Sequence, residues 1–115
     1  SLLFLPDHDR WEDTLAHCGM TSVREWFDHL NVDIALVDGT FWNADELSGR
    51  SQAEVPHPPV VETLRRLDVR NTGDPEVYFL HLNHTNPLLR SDSQACRTVA
   101  EHGWKVGEQG MQFNL

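Results

Sequence analysis

Val32-Asp33-Ile34-Ala35-Leu36-Val37, closed by Asp38-Gly39-Thr40, is the stretch whose reading decides the fold. The run is apolar except at Asp33, and Asp-Gly-Thr supplies the turn that stops it, so it reads as a buried strand. A second run of the same kind, Val77-Tyr78-Phe79-Leu80-His81-Leu82, ends at Asn83-His84-Thr85-Asn86-Pro87. A third and shorter one, Leu2-Leu3-Phe4-Leu5, is stopped by Pro6 and followed by Asp7-His8-Asp9. Near-continuous apolar strands of this type are usually covered on both faces.

Helical patterns lie between the strands. Thr21 or Ser22 caps a helix through Leu30, with Glu25 in capping-box position relative to Ser22. Val23, Trp26, Phe27 and Leu30 share one face of it. The pair Pro58-Pro59 opens another helix, whose apolar stripe is Val60, Val61, Leu64 and Leu67. Asn71 to Pro75 is a turn, and Ser93 to His102 is a helix stopped by Gly103. Trp104–Val106 and Met111–Leu115 read as a terminal hairpin across Gly107 to Gly110. The stretch from Asp7 to Trp11 reads as polar, and Phe41 to Pro56 has no period, a length of loop that is often functional. The order β-α-β-loop-α-β-α-β-β predicts a mixed α/β fold, a sheet covered by helices with functional loops at strand ends.

With 115 residues, 39% of them apolar, and four Trp, the chain is one domain or less and carries a core. Its formal charge of −9, with nine scattered Lys and Arg, disfavours a grip on nucleic acid or an anionic membrane. No apolar run reaches the roughly 20 residues a membrane span needs. Cys18 and Cys96 are far apart and form no CxxC, so free thiols in a cytoplasmic setting are the plain reading, with a disulfide between them the open alternative. The chain opens on an apolar strand without a start Met, and the expectation is a segment cut from a longer protein.

Three strands end in polar clusters. Were they to run side by side in parallel, those ends would converge on one sheet edge, and with His57 before a helix that edge would gather Asp7, Asp38, His57 and His84. Two carboxylates and two imidazoles suit a divalent metal. Against this, Asp at a strand end is often only a turn residue. His81 alternates with Leu80 and Leu82 and reads as a satisfied core histidine on a sheet face, while His8, His17, His29 and His102 read as surface residues. There is no GxSxG and no glycine-rich phosphate loop.

The string Val37-Asp38-Gly39-Thr40-Phe41-Trp42 with Asp45-Glu46-Leu47, then Thr85-Asn86-Pro87-Leu88-Leu89, Asp92-Ser93 and Gly110-Met111, resembles the coenzyme PQQ synthesis protein B family. The resemblance runs in order over essentially the whole chain. It implies the metallo-β-lactamase fold, an αββα sandwich of which residues 1–115 supply the C-terminal half, one mixed sheet with helices on one side. The His-x-His-x-Asp-His signature of that fold belongs to the first half and does not occur here. By the wider likeness to ribonuclease Z and related phosphodiesterases, Asp7 would bridge two metals and His84 would be a terminal ligand. His57 would be the proton donor, oriented by Asp38, since a neighbouring carboxylate fixes the tautomer of an imidazole general acid. The family pattern has Gly at the position of Asp7 and Asn at that of His84, so metal-capable residues at both suggest a hydrolase-like site.

The resemblance therefore implies a metal-dependent hydrolase, with zinc, or else iron or manganese, held only in the complete protein. The chain alone would be inactive. Its partners would be the missing N-terminal half, a small-molecule substrate and, through uncovered sheet surface, further copies of itself. The competing expectations are a non-catalytic fragment or interaction module that inherited the fold, an oxygenase-like role in PQQ biosynthesis, and a self-contained acidic domain unrelated to metal.

Overall fold

The computed structural model describes residues 1–5, 10–43, 57–83 and 85–107. Strand β1 is Leu2–Leu5, followed by helices α1, Trp11–Cys18, and α2, Val23–His29. Strand β2 is Ile34–Asp38, helix α3 is Val60–Leu67, and β3 is Glu76–Leu80. A 3-10 turn, Pro87–Leu89, precedes helix α4, Gln94–Glu101, and the short strand β4, Lys105–Val106. The four strands lie in sequence order, and each pair is parallel. The antiparallel strand expected within 111–115 lies outside the described residues.

The registers put Leu3 and Leu5, Ala35 and Val37, Val77 and Phe79, and Val106 on one face. That face meets the helices: Ala35, Val37, Val77 and Phe79 share a core with Trp11, Leu15, Val23, Trp26, Phe27, Val60, Leu64, Leu67, Val99 and Trp104. Strands in sequence order joined by crossovers of one hand place every helix on the same side. The other face carries Leu2, Phe4, Leu36 and Tyr78. Leu36 and Tyr78 are buried there, whereas Phe4 is 59% and Leu2 41% exposed, so this face is uncovered at its β1 end.

Local chemistry accounts for the helix ends. The Ser22 hydroxyl caps α2 by accepting from the Glu25 N–H, and Ser93 caps α4 by accepting from the Cys96 N–H. Helix α1 was not expected. Its signal is brief, Trp11 and Leu15 one turn apart facing the core, acidic Glu12 and Asp13 in the first turn, and Gly19 at φ 70° closing it. The Trp11 indole N–H donates to Thr63 Oγ1 at 2.7 Å, which satisfies a hydroxyl on the buried face of α3. Arg24 on α2 reaches past the end of α3, donating through Nε to Leu67 O and through Nη2 to Val69 O, both at 2.6 Å, while Nη1 pairs with Asp74. Cys18 and Cys96 are free thiols. No helix among the described residues is long and apolar enough to cross a membrane.

One expectation about β3 is corrected. The strand stops at Leu80, and His81 adopts φ 63°, so it leaves the sheet instead of sitting on its face. A left-handed conformation is uncommon for a residue with a Cβ and ends extended pairing. His81 is exposed and is not a core histidine.

Candidate active site

The site forms where the parallel strands end. Asp38 is the last residue of β2 and pairs in register with Leu80, the last of β3. Beyond it the chain must turn in little space. The Gly39 N–H donates to Leu80 O at 2.7 Å, and a Cβ on Gly39 would lie 2.9 Å from Phe79 Cβ and 3.0 Å from Leu80 O. Only glycine fits this close approach of two backbones. The turn is held from the other side by Asn86, which is buried, donates from Nδ2 to Gly39 O at 2.6 Å and accepts at Oδ1 from the Leu88 N–H.

His57 arrives by a different route. Helix α3 begins after Pro59, which has no side chain to cap the orphan N–H groups of the first turn. Carbonyls that follow β2 serve instead: the Val60 N–H donates to Phe41 O at 2.9 Å and the Val61 N–H to Trp42 O at 3.1 Å. This anchorage draws the start of α3, and His57 two residues before Pro59, against the end of β2. The Phe41 ring meets the His57 imidazole edge-on at 6.0 Å.

At the centre is the Asp38 carboxylate, whose side chain has no exposure. Its Oδ1 accepts from the Thr40 N–H at 2.9 Å and from the Thr40 hydroxyl at 2.7 Å. Its Oδ2 is hydrogen-bonded to His57 Nδ1. The His57 side chain is 18% exposed, so the ring is partly open to solvent. His81 lies alongside: its ring centroid is 6.4 Å from that of His57, and Thr40 Oγ1 is 3.4 Å from Nδ1 of each. A carboxylate holding one ring nitrogen of a partly exposed imidazole leaves Nε2 able to give or take a proton.

The structure thus brings Asp38 and His57 together. Asp7 and His84 lie outside the described residues. Sequence reading missed His81 and Thr40. Alternation of apolar neighbours disguised His81 as a strand residue, and Thr40 read as a turn former. Among the described residues no group of three or more His, Cys, Asp or Glu could hold a metal ion. A cleft of about 470 Å³ lined by Trp42, Pro87, Arg90 and Asp92 does not include Asp38, Thr40, His57 or His81 in its lining.

No family model matches the chain. It is 36% identical over 96 residues to coenzyme PQQ synthesis protein B of Cupriavidus necator, covering 74% of this chain and 30% of that protein. To the protein of the same name in Methylococcus capsulatus it is 35% identical over 89 residues, covering 72% and 29%. The Zn(2+)-bound PqqB of Methylobacterium extorquens has a similar structure, with a TM-score of 0.64 at 24% identity, covering 99% of this chain and 37% of that one. The chain therefore spans about 30% of the length of the curated relatives it matches.

Proposed function

From a chain that is a coenzyme PQQ synthesis protein B homologue with the metallo-β-lactamase fold, we propose that it supplies the proton-transfer side of a composite active site. It corresponds to the C-terminal part of the complete protein, whose remaining part brings most of the metal ligands. The complete protein is a metal-dependent hydrolase acting on a small molecule in the cytoplasm, in PQQ biosynthesis, and this chain alone is inactive. The observation that carries this reading is the hydrogen bond between the buried Asp38 carboxylate and His57 Nδ1. A general acid needs this arrangement: one nitrogen held by a carboxylate, the other facing the reacting group.

As the imidazolium, His57 gives its Nε2 proton to the leaving group and is left as the neutral ring with Nδ1–H on Asp38, which keeps it oriented while the proton moves. Phe41 shields one edge of the imidazole. The metal is zinc by analogy with the zinc-bound relative, and it would polarise the substrate and supply hydroxide near neutral pH. The described residues alone do not make a place for it; Asp7 and His84 are assigned to it as ligands in the complete protein.

The test is His57→Ala in the complete protein, with hydrolysis of bis(4-nitrophenyl) phosphate and metal content measured together. Turnover lost by roughly 10²–10⁴-fold with metal retained supports the reading. Loss of metal makes His57 a ligand, and unchanged turnover removes it from the chemistry.

A further inference from the structure

The Thr40 hydroxyl lies within reach of Asp38, His57 and His81 together. Thr40 is buried, with 8% exposure, and its hydroxyl has a single hydrogen. A carboxylate oxygen only accepts, so that hydrogen goes to Asp38 Oδ1 at 2.7 Å. The lone pairs of Oγ1 then face Nδ1 of His57 and Nδ1 of His81, each at 3.4 Å. With its backbone N–H on the same Oδ1 at 2.9 Å, Thr40 ties down one carboxylate oxygen twice. The carboxylate cannot rotate without breaking both bonds, and its second oxygen stays on His57 Nδ1.

We propose that Thr40 is a positioning residue: its hydroxyl locks the Asp38 carboxylate and thereby keeps the His57 Nδ1–H on Asp38, so that Nε2 faces the substrate and the ring is left as the Nδ1–H tautomer once the Nε2 proton of the imidazolium has been given up. This deepens the reading of His57 as the proton donor and rests on it. With only one anchor the carboxylate could turn away from Nδ1, and the ring would then be free to carry its proton on either nitrogen. Two anchors on Oδ1, and acceptor lone pairs of Thr40 on the Nδ1 side, favour one orientation.

The experiment uses the complete protein with ring-¹⁵N histidine, His57 being assigned by the signal lost in His57→Gln. Tautomers are read from the ring nitrogen shifts, and hydrolysis of bis(4-nitrophenyl) phosphate is measured in parallel. The parent and Thr40→Ser give a single Nδ1–H tautomer at His57. Thr40→Val gives a mixture of the two tautomers and about tenfold lower kcat with KM unchanged, the low end for loss of one hydrogen bond to a charged group. Thr40→Ala, which keeps the backbone bond to Asp38, gives the same mixture and serves where the Val variant does not fold. A single Nδ1–H tautomer in both Thr40→Val and Thr40→Ala overturns the proposal, whatever the turnover. Unchanged turnover in His57→Ala would instead overturn the proton-donor reading and leave the tautomer result to judge Thr40 on its own.

Discussion

Asp38 Oδ2 and His57 Nδ1 are hydrogen-bonded across nineteen positions of the chain, one at the end of a strand and the other just before a helix. The carboxylate side chain is fully enclosed and the imidazole is partly open. A buried carboxylate is tolerated only where donors surround it, and here the Thr40 N–H, the Thr40 hydroxyl and His57 surround this one. The asymmetry suits a fixed orienting group behind a side chain that meets substrate.

Asp38→Asn in the complete protein keeps the shape and removes the charge. The amide must either donate to His57 Nδ1 or present its oxygen there at the expense of Thr40. We expect turnover to fall by about 10²–10⁴-fold, through a misoriented ring, with metal content unchanged. Kinetics beside metal analysis checks this; parent-like turnover in Asp38→Asn would show that the carboxylate charge plays no part.

Trp11→Phe keeps an aromatic ring in the core but removes the donor to the fully buried Thr63 hydroxyl. We expect a loss of about 1–3 kcal/mol, read by urea denaturation of the complete protein. Parent stability would mean that this hydrogen bond contributes nothing net.

Arg24→Lys tests the clamp at the end of α3. A guanidinium fork serves two carbonyls and Asp74 together, and also lies over the Trp104 ring at 5.8 Å. An ammonium is a single point charge and cannot reproduce the fork. Destabilisation by about 1–3 kcal/mol is expected in the same assay. A variant within about 0.5 kcal/mol of the parent, the range of an ordinary surface change, would make the clamp incidental.

Much of this architecture was legible from the sequence because burial on both faces leaves a plain mark: β2 and β3 are apolar runs with polar ends, and α2 has its Ser22 cap and α3 its apolar stripe where the pattern placed them. Helix α1 was hidden because eight residues with two core contacts give little periodicity. The Asp38–His57 contact could be anticipated only through family resemblance. No local pattern links residues that are joined by the Val60 and Val61 N–H bonds to the carbonyls of Phe41 and Trp42, far back in the sequence. His81 was misread for a conformational reason. A left-handed φ at a strand end follows from no residue preference of histidine strong enough to read, while the apolar neighbours Leu80 and Leu82 argued for a strand.

The open sheet face makes its own prediction. Phe4 and Leu2 stand exposed on the side away from the helices, and apolar strand surface of this kind promotes association. The isolated chain should sediment as a dimer or larger species, and Phe4→Lys should shift it toward monomer. A parent chain that sediments only as monomer would contradict this.

The central claim is that the site is completed by another part of the protein, and zinc titration of the 115-residue chain addresses it most directly. By calorimetry the isolated chain should bind zinc with Kd no tighter than about 100 μM, roughly 5.5 kcal/mol, as expected for too few ligands. Adding the N-terminal part of the complete protein in trans should tighten binding by at least about a hundredfold, and His84→Ala in this chain should reverse that gain. Tight, stoichiometric zinc binding by the isolated chain as a monodisperse monomer would contradict the account and mean that these residues hold a self-sufficient metal site.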